Sequence, residues 1–273
     1  MTCGWSASAI VDRVAHSEPA ARVTTCSVGT AVNLEIRHLH RLPEMEELLA
    51  VAGKVWGIAP GGLVGPDFLM ALSHADGYVI GAFDGTRMVG VSFGVLGRHL
   101  GDWCLHSHIT GVVPDLQNTG LGRRIKQHQR EWAVQRGLPA ITWTFDPLVR
   151  RNGWFNLHSL GASAVEYHEN FYGPLRDDIN GDDDSDRLLA RWEVQSERAT
   201  AAEVSTIPAD RALADDVLLE TPEDIVALRR EDPARARSWR REMRERLAPL
   251  LATHVVRGMS ATGQYVLAPR ERS

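Results

Sequence analysis

Residues 111–132, GVVPDLQNTGLGRRIKQHQREW, narrow the folds open to this chain more than any other stretch. An apolar run stops at Pro114. The six residues Gln117 to Gly122 then hold two glycines, and a long Arg-rich helical stretch follows. A strand that feeds a glycine-broken turn into a helix brings free backbone N–H groups and the positive end of a helix dipole to one point. Such a point is a site for an anion, above all for phosphate. Glycines at 120 and 122 let the main chain approach the ligand without a Cβ in the way. Two known phosphate loops do not fit. A Walker loop needs Gly-Lys-Ser/Thr, and here Gly122 is followed by Arg123 and Arg124; a dinucleotide loop needs a third glycine where Ile125 stands.

Hydrophobic periodicity on either side predicts a mixed α/β chain. VNLEIR (32–37) reads as a first strand, and Leu42 to Trp56 has helical spacing that ends in the Gly/Pro-rich loop GIAPGGLVGP. A short helix follows over 67–74. Strands over 77–83 and 87–96 form a hairpin about Asp84-Gly85, a strong hairpin signal. A fourth strand is predicted over 103–113, a helix over 120–136 ending at Gly137, and a buried strand over 140–146. A short helix over 152–160 closes at Gly161-Ala162, and further strands cover 163–167 and 187–194. Residues 195–220 read as a connector. Beyond it, Thr221-Pro222 and Asp232-Pro233 each offer a helix N-cap with proline in the first turn. Trp239, Met243, Leu247 and Leu250 make one apolar stripe, and HVVRGM and QYVLAP pair as a terminal hairpin. The expectation is one sheet with helices on its faces.

The pattern Gln117-x-x-Gly120-x-Gly122, after a strand and Pro114, resembles the acyl-CoA turn of the GNAT superfamily of N-acyltransferases. The element order matches that family over residues 32 to about 194. The runs LHSH, TWTFDPL, FNLHSLGA, NFYG and SDR, and the tail from Thr221, resemble one particular branch of it. The resemblance implies an α/β GNAT fold, with a mixed central sheet splayed between the fourth and fifth strands, helices on both faces and a helical and hairpin C-terminal extension. The small, polar first thirty residues read as a flexible leader (1–30), the resemblance makes 31–196 the acyl-CoA-binding domain, and 197–273 is an extension that the apolar stripe packs on the core. The resemblance implies acetyl-CoA or another acyl-CoA as co-substrate. The pyrophosphate would lie on Gln117, Asn118, Thr119, Gly120, Leu121, Gly122 and Arg123, and the pantetheine arm in the gap beside Val112 and Val113. A backbone N–H near Val112 would polarise the thioester carbonyl.

Amine acylation also requires an amine stripped of its proton and a route for the leaving thiolate. By alternation His106, His108 and Thr110 share one face of the fourth strand. His106 stands eleven residues before Gln117, where many members of the family carry the glutamate that activates the amine, and a histidine suits that role. The tyrosine that commonly protonates the CoA thiolate is absent. Its position holds Leu157, with His158 beside it, which leaves Tyr167, Tyr172, water or unassisted departure. Arg150 and Arg151, after the fifth strand, offer a clamp for a carboxylate or a solvated helix start, and Asn152 and Asn156 are further substrate-binding candidates.

Other classes fit poorly. A net charge of −5 argues against general nucleic-acid binding, and no apolar run approaches membrane-spanning length. The first thirty residues lack the apolar core of a secretory signal. Three widely spaced cysteines (Cys3, Cys26, Cys104) fit a reducing cytoplasm. DDINGDDDSD (177–186) lacks the glycine and glutamate of a calcium loop and reads as a solvated acidic stretch. His106-x-His108 has no third ligand at metal spacing, so no metal is expected. The expected activity is transfer of an acetyl or other small acyl group to a small-molecule amine, with self-association into a homodimer left open. The rival is a degenerate domain of the same fold that binds acyl-CoA without turnover.

Overall fold

The computed structural model describes residues 34–57, 63–173, 183–203 and 212–270. The leader expected over 1–30 lies outside them, as do residues 58–62 of the Gly/Pro-rich loop. A seven-stranded sheet runs in the order β1 (Leu34–His38), β2 (Tyr78–Asp84), β3 (Arg87–His99), β4 (Asp102–Val112), β5 (Ala140–Phe145), β7 (Arg187–Glu193), β6 (Ser163–His168). Every neighbouring pair is antiparallel except β4 and β5. That one parallel pair needs a crossover, and α3 (Leu121–Gln135), the helix after the glycine turn, supplies it. The mixed sheet with helices on both faces is the architecture that the resemblance implies.

α1 (Leu42–Trp56) and α2 (Pro66–His74) precede the hairpins. α1 keeps the limits read from the sequence because both ends are punctuated. Glu44 accepts from the backbone N–H groups of His40 and Arg41 at its start, and Gly57 closes it in the left-handed region at φ 69°. α1 and α3 lie on opposite faces of β4. A Cβ on Gly111 would come within 2.5 Å of Trp56 of α1, whereas Thr110, the preceding residue, faces α3 through Ser92 and Gln129. The buried face of α3 carries Leu121, Ile125, Trp132 and Ala133, with Lys126 and Gln129 set among them.

β4 contains a bulge. Phe93 pairs with Ile109 and Gly94 with Ser107, so His108 is an extra residue with no partner on β3. The expected helix over 152–160 is α4 (Arg150–Trp154) running into a π-helical turn, Phe155–Ser159.

The connector reading of 195–220 needs correction. α5 (Glu197–Glu203) and β8 (Val217–Leu219) lie within it. Alanine-rich α5 buries Ala199 alone among its hydrophobic residues described as core, and three-residue β8 is too short to display an alternation. β8 pairs with β10 (Tyr265–Pro269), which pairs with β9 (His254–Met259) in a second, three-stranded sheet. Two further helices, α6 (Ile225–Glu231) and α7 (Pro233–Leu250), complete the extension. The first of them is capped by Asp224, which accepts from Val226 and Ala227, and not by Thr221. Thr221 instead donates to the Gly263 carbonyl. On α7, Met243 and Leu247 are buried in the core, and Trp239 and Leu250 pack half-buried against it.

The acidic stretch also departs from expectation in its described part. Asp183 is buried against Arg229 of α6 and Arg240 of α7, and Asp184 and Asp186 hold Arg244. Asp183 and Asp186 are therefore buried ion-pair partners, and only Asp184 of the three stays exposed.

Candidate active site

The parallel pairing of β4 with β5 is short. Cys104 pairs with Ala140, Leu105 with Ile141 and His106 with Thr142, and there it stops, although β4 continues to Val112 and β5 to Phe145. β5 meanwhile stays paired with β7 along its whole length. The two parallel strands thus part company at His106 and Thr142, next to the bulge that bends β4, and leave a fork that opens toward the glycine turn.

The wall of the fork is backbone. Val113 donates to Val89 of β3, so by strand alternation the peptide groups of Val112 and Thr110 turn away from β3 and into the fork. The Val112 carbonyl accepts from Gln117 Nε2 at 3.2 Å, while the Val112 N–H, turned from β3, has no partner among the described residues. Gln117 thereby ties the turn to the strand that it follows.

At the mouth, Asn118 (φ 62°) and Gly120 (φ 86°) adopt left-handed conformations that swing successive amides outward. Thr119 Oγ1 donates to the Leu116 carbonyl. The backbone N–H groups of Asn118, Thr119, Gly120, Leu121 and Gly122 have no hydrogen-bond partner among the described residues. They converge at the start of α3, where the helix dipole is positive. An ideal Cβ on Gly120 meets nothing within 4 Å, so its glycine answers to φ and to the approach of a ligand rather than to crowding by protein. Phe155 of the π turn comes within 4.0 Å of the Cβ position of Gly122, as does Val112, so both border the fork there.

On the α1 face of the fork stand the histidines. His106 Nδ1 is 3.1 Å from Thr142 Oγ1, which anchors the ring across the last paired rung and leaves Nε2 without a partner among the described residues. With Nδ1–H donated to Thr142, the Nε2 lone pair is free to accept a proton. Burial lowers the His106 pKa, and repulsion from His108 and Lys126 lowers it further. Exposed His108 lies on the bulge with its ring 5.2 Å from Phe93, and desolvation lowers its pKa as well. Thr110 does not share this face, contrary to simple alternation, because the bulge shifts the phase of the strand. Its hydroxyl lies on the α3 side, 2.9 Å from Ser92 Oγ.

The same face continues over β5, β7 and β6. Tyr172 is hydrogen-bonded to Thr144, two residues beyond Thr142, and the Arg187 guanidinium lies 5.5 Å over its ring. Glu166, with its side chain 43% exposed, sits between His99 Nε2 at 2.8 Å and His168 Nε2 at 3.2 Å. Arg191 donates to His99 Nδ1, which fixes the proton of that ring on the nitrogen facing Glu166.

Other expected residues sit elsewhere. Arg150 is engaged by the extension, with Nε donating to Thr221 Oγ1 and Nη2 to the Thr221 carbonyl. Asn152 is exposed on α4, and Asn156 is buried in the π turn. Leu157 is fully buried, and His158 Nε2 bonds the Met259 carbonyl of β9 under a stacked Trp154. Tyr167 donates its hydroxyl to Asp186 and its pKa is far raised by burial and that carboxylate, which takes it out of acid–base chemistry. One residue went unnoticed in the sequence. Lys126 is buried on the α3 side of the fork, directly behind the point where β4 and β5 separate.

No protein-family model matches the chain, and no curated protein matches it. Among solved structures it is similar to an acetyltransferase of the GNAT family from Streptococcus pneumoniae, at 18% identity and a TM-score of 0.45 over 58% of this chain and 97% of that one. It is similar to the ribosomal-protein-S18-alanine N-acetyltransferase of Escherichia coli at 14% identity and a TM-score of 0.46, over 60% and 95%. A third is the ribosomal-protein-S5-alanine acetyltransferase of Vibrio fischeri, at 13% identity and a TM-score of 0.48, over 60% and 94%.

Proposed function

We propose that the protein is an acyl-CoA-dependent N-acyltransferase that moves an acetyl or other small acyl group to an amine of a small-molecule acceptor. The observation that carries this reading is a fork between parallel strands with a turn of open amides at its mouth. Such a fork accepts a narrow, extended arm, and the turn accepts the pyrophosphate at its end, with Gln117 through Arg123 around it. Val112, Val113 and Phe155 border the arm. Either backbone N–H of the wall, Val112 or Thr110, can polarise a thioester carbonyl. Thr110 lies nearer the histidines. With the bulge between them, Thr110 stands three rungs of β3 from His106, about 10 Å, against five rungs, about 17 Å, for Val112.

In this mechanism the neutral His106 takes the amine proton, directly or through water. The amine then attacks the carbonyl carbon, and the C–S bond breaks. The acceptor lies over the β5–β7–β6 face, where the Glu166 carboxylate offers a partner for a second cationic group of the amine. Arg150 is a weaker substrate candidate than the sequence alone suggests, given its engagement with Thr221.

A second reading, acyl-CoA binding without turnover, is favoured by one observation: the position of the usual acid tyrosine is filled by buried Leu157. Two measurements test both. Saturation with acetyl-CoA or CoA at about 100 times Kd should stabilise the fold by about 2.7 kcal/mol, and release of CoA thiol across an amine panel should report turnover. Binding without thiol release selects the second reading, and no thermal shift with any CoA ester rejects both.

A further inference from the structure

This chain contains 30 basic residues, of which only Lys54 and Lys126 are lysines. Lys126 is 3% exposed. Its ammonium has no carboxylate within salt-bridge distance among the described residues; it donates to Ser107 Oγ at 3.2 Å and Gln129 Oε1 at 2.8 Å, and lies 3.9 Å over the Trp143 ring. A buried cation without an anion is costly, and it stands here at the apex of the fork. An arginine, the default basic residue of this sequence, would stay protonated at any accessible pH, whereas a buried lysine can give its proton up.

The surrounding hydroxyls have a direction. Ser107 Oγ accepts from both Lys126 Nζ and Gln129 Nε2, the latter at 3.0 Å, so both its lone pairs are occupied and its own proton points to Thr110 Oγ1 at 3.5 Å. Ser92 Oγ donates to the Ile109 carbonyl at 2.8 Å, so Thr110 is the donor in its 2.9 Å contact with Ser92. The chain therefore runs from Lys126 through Ser107 to Thr110, whose backbone forms part of the fork wall. It lies on the α3 side of the sheet, and the two histidines lie on the other.

We propose that Lys126 is the proton source for the departing thiolate, relayed by the Ser107 and Thr110 hydroxyls, in place of the absent tyrosine. The inference rests on the acyl-transfer reading above. When the C–S bond breaks, its electron pair goes to sulfur. The Thr110 hydroxyl turns from Ser92 and gives its proton to the sulfur, Ser107 gives its proton to Thr110, and Lys126 gives one to Ser107, leaving a neutral amine that solvent reprotonates after release of the thiol. The amine's own proton leaves by way of His106 on the opposite face, so the products are an amide and CoA thiol. Burial pushes the Lys126 pKa down to about 7, which keeps a transferable proton there at neutral pH. The groups facing the ammonium are Ser107 from β4, Trp143 from β5 and Gln129 from α3, with His106 across the sheet as a titrating group that feels its charge.

The test is kcat against pH for the native protein and for Lys126→Met, Lys126→Arg, Thr110→Val and Tyr172→Phe, with acetyl-CoA binding measured by calorimetry. Native kcat should fall as pH rises through the neutral range. Lys126→Met and Thr110→Val should bind acetyl-CoA normally, lose about 10²-fold in kcat and lose that limb. Lys126→Arg keeps the charge but has no proton to give, and should be no better than Lys126→Met. Native-like kcat in Lys126→Met, full rescue by arginine, or disappearance of the limb in Tyr172→Phe instead would each overturn the proposal with acyl transfer intact. If the lysine variants do not fold, a native profile without a descending limb overturns it. Failure of the native protein to bind acetyl-CoA would instead reject the function on which the inference rests.

Discussion

Arg240 grips both oxygens of the Asp146 carboxylate, Nη1 on Oδ1 and Nη2 on Oδ2, each at 2.8 Å. The pair joins α7 to the residue that follows β5, and Arg229 and Asp183 complete a buried four-residue cluster. The same Asp146 caps the next turn by accepting from the Leu148 N–H, while Tyr265 donates to the Pro147 carbonyl. The extension therefore fixes the segment at the end of β5, one edge of the fork.

Arg240→Ala should destabilise the protein by about 3–5 kcal/mol, because it leaves the Asp146 charge buried with half its compensation gone. Replacing the pair together, Asp146→Leu with Arg240→Met, should recover much of the loss. Urea midpoints of the two variants decide it. A single variant that unfolds at the native midpoint would mean that the cluster is not coupled to folding. Truncation at residue 220 removes both arginines at once and should give a protein that unfolds more easily or precipitates.

Acid should unfold the protein by way of the same carboxylate. Burial alone would raise the Asp146 pKa, but Arg240 first and Arg229 after it more than reverse that and hold it far below the ordinary range. A carboxylate whose folded pKa is depressed adds stability that is present above its unfolded value, near 3.9, and is lost as pH falls below about 4. The melting temperature of the native protein should fall steeply below that pH. Asp146→Asn, less stable at pH 7, should show a shallower fall, and parallel curves would assign the acid sensitivity elsewhere.

Much of this architecture was legible because punctuation and periodicity agreed. Helical spacing and the Gly/Pro-rich loop that opens at Gly57 bound α1, Asp84-Gly85 marks the hairpin, and the two-glycine turn names the start of α3. The failures share a cause in tertiary structure. The bulge at His108 leaves no mark on composition, so alternation put Thr110 on the wrong face. The acidic run looked solvated because its arginines lie 46 to 60 residues later in the chain. Lys126 lies in the Arg-rich stretch after the turn, where a charge is the rule. Its only signal was position, since with Gln129 it falls on the face that Leu121, Ile125 and Trp132 bury.

Lys126 should also appear in the pH dependence of stability, without any substrate. A lysine whose folded pKa is near 7 and whose unfolded pKa is near 10.4 holds more protons in the unfolded chain between those values. Stability therefore rises with pH across that window. Native protein should gain melting temperature from pH 7 to about 9.5, and Lys126→Met should be flat there and at least as stable at pH 7. Superimposable curves would mean that the ammonium is not depressed.

Gly120→Glu should abolish binding of CoA esters while leaving the protein folded. The side chain has room, with no protein atom within 4 Å of its Cβ, yet its carboxylate would stand among the amides proposed for the pyrophosphate. The φ of 86° adds about 1 kcal/mol or more of strain, so a modest drop in melting temperature is expected as well. Retained affinity for CoA in a calorimetric titration would move the anion site away from the turn.

The last prediction separates the two histidines. His106 is anchored through Nδ1 on Thr142, so its free Nε2 is held in one direction at the apex of the fork, whereas exposed His108 rides on the bulge with its ring against Phe93. A base must be neutral to act. Burial, then the fields of His108 and Lys126, depress the His106 pKa, so kcat/KM should rise with pH through a value below the ordinary 6.5 or so and level off before neutrality. His106→Ala should lower kcat/KM by about 10²-fold and flatten that ascending limb, with acetyl-CoA affinity unchanged because the turn is untouched. Thr142→Val, which keeps the ring but removes its anchor, should fall between the two. His108→Ala should move the limb upward by relieving repulsion on His106, with a smaller loss of rate. If His108→Ala takes the larger loss and erases the limb, the bulge residue is the base and His106 only lines the groove.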